Sequence, residues 1–417
     1  MVKTEQDSDP RVPVTILTGF LGSGKTTLLN HILTEQHGKK LAIIENEFGE
    51  VGIDDALLKK NTKLQSEEEI IEMMNGCICC TVRQDLVVVL KRLKERVDRG
   101  DLKLDGIVIE TTGLADPAPV AQTFFVEEEV QQFSRLDGIV TLVDAKHIEQ
   151  HLDAEKPEGA ENEAVEQVAF ADRMLLNKTD LVEEADLVRI EKRLKSINTN
   201  APIVRCTQSQ VSPDSVLNIR GFDLDKTLEM DPEFLNTEGE HEHDDTVTSC
   251  SIVEKGSVDF EKIQSYIMKL LREKGTDIYR MKGVLSVAHC KKKFVYHAVH
   301  MIFGGDFAEE WGEDEERVSK LVFIGKNLDH EELKREFVDA RFDQDAFEEQ
   351  KRNLRFKVGD EVTCNATDGW ADGVVVKQMY RSEFMPPGFV APYQIKLTDG
   401  TLIYAPMDND DLIKKRA

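Results

Sequence analysis

The segment that most constrains the fold is the octapeptide at 19–26, GFLGSGKT, which fits G-x-x-x-x-G-K-[ST]. It follows the short β-branched run 14–17 and precedes a helix-forming stretch at 27–33. Strand, glycine-rich turn and helix in that order let backbone N–H groups close around a polyphosphate, and the helix N-terminus adds partial positive charge. Gly19, Gly22, Ser23, Gly24 and Thr27 would form the cradle, Lys25 would reach the β- and γ-phosphates, and the Thr26 hydroxyl would bind Mg²⁺. A dinucleotide-binding turn is excluded, because Thr27 stands where G-x-G-x-x-G needs its third glycine.

Such a loop needs a parallel sheet around it, and the pattern supplies one. Short apolar runs at 41–44, 106–109, 138–143, 173–176 and 202–205 alternate with amphipathic stretches, clearest at 27–36 and 86–96. This is the signature of βαβ units with a mainly parallel sheet buried on both faces. The polar stretch 153–163 reads as a surface loop. The expected organisation is a flexible N-terminus (1–11), a P-loop α/β domain (12–215) and an acidic linker (216–245) ending in EGEHEHDD. A small α+β domain follows at 246–342. Its expected elements are helices at 260–274 and 331–342 and strands near 283–288, 294–303 and 321–324. A charged linker (343–354) leads to 355–417, where Asp-Gly pairs at 368–369, 372–373 and 399–400 predict the turns of a small all-β, SH3- or Tudor-like barrel, read as an interaction module.

The 417 residues carry 53 basic against 79 acidic side chains, a net charge of −26. That sign argues against a nucleic-acid partner, since phosphate backbones attract Lys and Arg. It suits cation binding or simple solubility. No apolar run approaches the roughly 18–20 residues of a membrane span. The polar, acidic start MVKTEQDSDP reads as no secretory leader, so a cytoplasmic location is expected.

After the run 173–176 comes Asn177-Lys178-Thr179-Asp180. The Asp180 carboxylate can accept two hydrogen bonds from guanine N–H groups, a pattern adenine does not offer, so GTP and GDP are the expected nucleotides. Asn177 would brace the loop and Lys178 would pack over the base. Between the two motifs, Glu110-Thr111-Thr112-Gly113 follows an apolar strand. Glu110 would orient the Mg²⁺ water shell and the Gly113 N–H would sense the γ-phosphate. No Gln or Arg stands in an obvious place to orient the attacking water, which predicts slow intrinsic hydrolysis. Asp54 is a candidate partner for that water by its switch-like position.

Three of the seven cysteines, Cys77, Cys79 and Cys80, fall within one short loop. Clustering of this kind reads as metal or redox chemistry rather than a disulfide framework. Thiolates suit Zn²⁺, and no second knuckle exists to close a structural zinc ribbon. The C-x-C-C spacing differs from the C-x-x-C of thioredoxin-type redox pairs. Glu45 and Glu50, in ENEFGE, are candidate oxygen ligands. Cys206, Cys250, Cys290 and Cys364 read as small buried residues. His241 and His243 sit in the acidic tract, as a solvated linker or a weak metal collector. His297 and His300 would point to opposite sides of one strand.

GFLGSGKTT, ENEFGEVGID, NGCICC, ETTGLADP and NKTD, in that order, resemble the CobW-type metallochaperone GTPases, whose eukaryotic branch is the zinc-regulated GTPase metalloprotein activators. The resemblance spans about 12–342 and implies GTP hydrolysis and delivery of zinc to a client apo-metalloenzyme. It implies zinc on Cys77, Cys79 and Cys80, with Glu45 and Glu50 joining Cys79. The eukaryotic members dock type 1 methionine aminopeptidase through a Cys-Pro-containing N-terminal motif; residues 1–13 hold no Cys, and the oligomeric state is left open. A cobalt or nickel inserter, and a metal-storage or sensing protein with vestigial GTPase activity, are the alternatives.

Overall fold

The computed structural model describes residues 9–35, 38–45, 69–72, 81–113, 115–154, 156, 162–221, 247–366, 369–382 and 384–416. The first unit runs β1 (Val12–Thr18), α1 (Lys25–Thr34), β2 (Leu41–Glu45), β3 (Glu69–Glu72), α2 (Thr81–Asp98), β4 (Gly106–Glu110), α3 (Ala118–Val126) and α4 (Glu128–Phe133). It continues with β5 (Ser134–Asp144), α5 (Ile148–Leu152), α6 (Glu163–Ala169), β6 (Arg173–Asn177), α7 (Glu184–Ile197) and β7 (Ile203–Arg205). The strands form one sheet in the order β3-β2-β4-β1-β5-β6-β7, with every pairing parallel. Successive residues Ile16 and Leu17 of β1 are both fully buried, as a strand covered on both faces requires. Ile16 belongs to the core under α2, α3 and α7, while Leu17 meets Leu28, Leu29 and Ile32 of α1 on the other face.

Residues 216–221, expected as the start of a linker, are packed on the first unit. Val216, Leu217 and Ile219 are buried in the same layer as α1. Thr15 Oγ1 donates to the Val216 carbonyl (3.0 Å), and the buried Asp137 carboxylate accepts from the Ile219 and Arg220 amides (2.8 and 3.1 Å). A strap held by backbone bonds needs no side-chain periodicity, so pattern alone does not reveal it.

The second unit comprises β8 (Val247–Lys255), α8 (Phe260–Lys274), β9 (Ile278–Leu285), β10 (Lys292–Val299), β11 (Ile302–Glu310), β12 (Val318–Lys326) and α9 (His330–Asp339). Its sheet is antiparallel, in the order β11-β10-β9-β12-β8. Asp259 and Asp329 cap α8 and α9 by accepting from Lys262 N (3.0 Å) and Glu332 N (2.9 Å). The single strand expected at 294–303 is instead a hairpin: Val299 pairs with Ile302 across a turn in which His300 takes φ 51°. One sheet face packs on α8 and α9. From the other, Tyr279, Val299, Val322 and Ile324 enter the same core as Phe170 and Ile197 of the first unit. Arg280 and Lys282 of β9 meet the Asp172 carboxylate there. Burial alone would raise that carboxyl, but the two cations hold it below its ordinary value.

The third unit follows α10 (Gln344–Arg352) and contains β13 (Glu361–Ala366), β14 (Gly369–Tyr380), β15 (Ala391–Leu397), β16 (Leu402–Ala405) and β17 (Ile413–Lys415). They form an antiparallel sheet, β16-β15-β14-β13-β17, around Val362, Val375, Tyr393, Ile395 and Ile413. The stretch expected as a charged linker is helical, because Asp343 caps α10 (Ala346 N, 2.9 Å) and Phe347 packs on His289 (4.4 Å). Asp399–Gly400 does turn, with Gly400 at φ 91°. Asp372–Gly373 does not: it lies inside β14, where a Cβ on Gly373 would come within 2.7 Å of the Lys396 carbonyl. There glycine serves close strand approach. Among the described residues, no helix is long and apolar enough to cross a membrane.

Candidate nucleotide site

Strand order reverses around β1, and the crevice at the carboxyl ends of β4, β1, β5 and β6 is where such a sheet binds its ligand. The loop 19–26 leaves β1 there. Gly19, Gly22 and Gly24 take φ of 140°, 80° and 111°, a region that side chains disfavour. Space is also short: a Cβ on Gly19 would lie 2.3 Å from the Leu142 carbonyl, and one on Gly24 would lie 2.6 Å from Asn177 Nδ2. Helix α1 starts at once with Lys25, with no side-chain cap and no acidic residue in its first turn. The N–H groups of that turn therefore suit an anion. Lys25 is buried and folds back over the loop, donating to the Gly19 and Phe20 carbonyls (2.7 and 3.3 Å).

Glu110 ends β4 beside Leu17, the penultimate residue of β1. The register extends this row: Glu110 pairs with Glu45 of β2, which pairs with Glu72 of β3. Backbone placement thus puts three glutamates on neighbouring strand ends at the phosphate-loop edge. Glu72 was not singled out from sequence, since only the register aligns it. Thr111 Oγ1 donates to Thr18 Oγ1 (3.0 Å). Gly113 packs on the phosphate loop so closely that a Cβ would reach 2.4 Å from the Leu21 amide nitrogen. Ser23 Oγ and Thr112 Oγ1 are buried without a hydrogen-bond partner among the described residues. Unpartnered hydroxyls and uncapped amides are a donor set that fits a phosphate and its Mg²⁺.

On the base side, Asn177 is almost fully buried and its amide ties three segments together. Nδ2 donates to Ser23 O and Ser209 Oγ (both 2.9 Å), while Oδ1 accepts from Ser209 N (2.9 Å). Lys178 takes φ 62° and bridges the Gly22 carbonyl and Asp144 Oδ2, each at 2.7 Å. Asp144 also accepts from His147 Nδ1 (2.9 Å) and Lys146 N (2.9 Å). Burial would raise the Asp144 carboxyl, but Lys178 and His147 hold it below its ordinary value. Asp180 lies exposed in the short turn Thr179–Leu181. Asp144 and Ser209 carry no motif in the sequence; the one signal available is that Asp144 ends, and Ser209 follows, a strand running to this crevice.

The structure therefore brings together Gly19, Gly22, Ser23, Gly24, Lys25, Thr26, Thr27, Glu110, Gly113, Asn177, Lys178 and Asp180. Glu50, Asp54, Cys77, Cys79, Cys80, His241 and His243 lie outside the described residues. His297 and His300 are apart, packed on Phe125 (4.7 Å) and on Phe170 (5.2 Å). Cys206, Cys250, Cys290 and Cys364 are buried free thiols, and burial pushes the first two and the last up to about 11.

Residues 13–205 match the CobW/HypB/UreG nucleotide-binding domain, and 247–341 match the cobalamin synthesis protein cobW C-terminal domain. The zinc chaperone YjiA of Escherichia coli (strain K12) is 37% identical over 330 residues, covering 79% of this chain and 99% of the relative. The chain belongs to the CobW family. Another relative, zinc-regulated GTPase metalloprotein activator 1 of Dictyostelium discoideum, is 39% identical over 246 residues, spanning 52% of this chain and 50% of that one. Among solved structures, the Zn(II)-bound YjiA GTPase from E. coli superposes with a TM-score of 0.62 at 32% identity, over 80% of this chain and 99% of that one. The sheet β13–β17 lies beyond both segments matched to the CobW family.

Proposed function

We propose that this CobW-family chain hydrolyses GTP and uses the cycle to bind Zn²⁺ and release it to a client metalloprotein. The observation that carries the reading is the tie between the two nucleotide loops: Asn177 and Lys178 donate to the carbonyls of Ser23 and Gly22 (2.9 and 2.7 Å), so base and phosphate loops form one crevice. Similarity to a zinc chaperone over 79% of the chain supports the cargo.

In this reading the amides of 19–27 bind the phosphates, and Lys25 shifts from the Gly19 and Phe20 carbonyls to the β- and γ-oxygens. Thr26 would hold Mg²⁺ and Glu110 would orient its water shell, and the ion would neutralise charge on the phosphates. The Gly113 amide contacts the γ-phosphate, Asp180 accepts from guanine, and Asp54 orients water. Cys77, Cys79 and Cys80 bind zinc as thiolates, with Glu45 and Glu50 as oxygen ligands. The nucleotide can drive the metal only through differential affinity for two loop states.

Zn²⁺ affinity of the full chain, measured by competition with a chelator, should be higher with a non-hydrolysable GTP analogue than with GDP. Equal values overturn the coupling. Cys79→Ala should cut zinc affinity while leaving GTP affinity within about twofold; parallel loss of both would point to a structural metal. Tighter binding of Co²⁺ or Ni²⁺ in the same titration would overturn zinc as the cargo.

A further inference from the structure

We infer that Gln167 is a positioning residue for the loop carrying Gly113, and that α6 passes the position of this loop to the second sheet. The inference rests on the reading of Gly113 as the γ-phosphate contact. Gln167 is a side-chain amide with 1% exposure, in a helix only seven residues long. Its Nε2 donates to the carbonyls of Gly113 (3.2 Å) and Ala115 (3.3 Å). The Gln167 backbone carbonyl accepts from Thr141 Oγ1 (2.6 Å), which fixes this turn of α6 to β5. One amide thus holds two carbonyls of the switch-like loop at a set distance from the helix, while Gly113 presses on the phosphate loop at Leu21.

The far end of α6 is clamped to the second unit. Arg280 of β9 donates to the Phe170 carbonyl, and both Arg280 and Lys282 pair with Asp172. The Phe170 ring packs on Tyr279 and His300 (5.9 and 5.2 Å). Asn198 Nδ2 donates to the carbonyls of Val168, Ala169 and Ala171 (2.9, 3.1 and 2.9 Å), closing the helix end. Movement of Gly113 towards a γ-phosphate must either break the Gln167 bonds or draw α6 with it. Because its far end is held by buried ion pairs, displacement of α6 reaches β9. This is a contiguous chain of contacts, and the coupling it carries is measurable.

The test uses the full chain with Gln167→Leu, which keeps the bulk and removes the donor, and Gln167→Met as a second variant in case the first does not fold. Affinities for GDP and for a non-hydrolysable GTP analogue are measured together with hydrogen exchange of the β9 amides in both nucleotide states. The expected result is GDP affinity within about twofold of wild type, analogue affinity lowered by about 5- to 30-fold, and loss of the nucleotide-dependent difference in β9 exchange. Equal loss for both nucleotides would make Gln167 merely structural and overturn the inference. A wild type that discriminates, beside a variant that discriminates equally, overturns the inference alone. A wild type that binds both nucleotides alike overturns the γ-phosphate reading and this inference with it.

Discussion

The two halves of the nucleotide crevice are built on opposite principles. On the base side the buried amide and hydroxyl groups have protein partners. Asn177 bonds Ser23 and Ser209, Ser209 Oγ donates to the Gly24 carbonyl (3.1 Å), and Thr179 Oγ1 donates to the Cys206 carbonyl (3.1 Å). On the phosphate side Ser23 Oγ and Thr112 Oγ1 are buried without one among the described residues. A satisfied network is rigid and gives the same welcome to GDP and GTP, whereas unpartnered hydroxyls gain only when a ligand supplies the missing bond. The contrast locates discrimination between the two nucleotides in the phosphate half.

The largest effect should come from breaking the tie between the two halves, where Gly24 of the phosphate loop meets Asn177 and Ser209. Gly24→Ala places a methyl group about 2.6 Å from Asn177 Nδ2 and 2.7 Å from Ser209 Oγ at φ 111°. Left-handed strain and overpacking of a hydrogen-bonded network each cost on the order of 1–3 kcal/mol. Affinity for GDP and for the GTP analogue should therefore fall together by at least about 30-fold in a fluorescence titration. A loss confined to the analogue would erase the division drawn here.

The phosphate half should answer differently. Thr112→Val removes an unpartnered hydroxyl and keeps the shape, so the apo-protein Tm should hold or rise slightly. GDP affinity should stay within about twofold, while analogue affinity should fall by about 3- to 10-fold, the net worth of one ordinary hydrogen bond. A drop in apo stability would mean that Oγ1 is already satisfied by the protein.

The difference between the halves also tracks how much of each was legible in the sequence. A glycine-rich loop after an apolar run and NKTD after another marked the crevice, because the turn geometry needs glycine and recognition of guanine would need a carboxylate. Asp144, Ser209 and Gln167 carried no such mark. Their roles come from which strand or helix ends meet in space, and a buried Gln on a seven-residue helix has no periodicity to betray it. The same holds for the strap at 216–221, fixed by Asp137, and for Gly373, whose Asp-Gly pair mimics a turn while its neighbours demand a strand. Parallel strands were easy to read because burial on both faces makes them uniformly apolar. The hairpin at His300 was not, since its turn has neither Gly nor Asn.

The smallest effect lies farthest from the nucleotide, at the contact between the two larger units. Burial, reinforced by Lys282 and Arg280 on β9 and opposed by Asp306 on β11, pushes His297 from 6.5 down to about 4. In the native state the imidazole stays neutral throughout that interval, while in the unfolded chain it takes up a proton near 6.5. The unfolded state therefore binds more protons between about 6.5 and 4, and this contribution to stability declines as pH falls through that window. His297→Gln should flatten that part of the Tm-against-pH curve while leaving the two proteins similar above it. Acid should also lower the protection of the β9 amides, measured against their intrinsic exchange rate at each pH, more than it weakens GDP binding, because His297 packs on Phe125 at the contact between units and not in the base half. If GDP affinity falls in step with β9 protection, the base half is not the self-contained network that its hydrogen bonds describe.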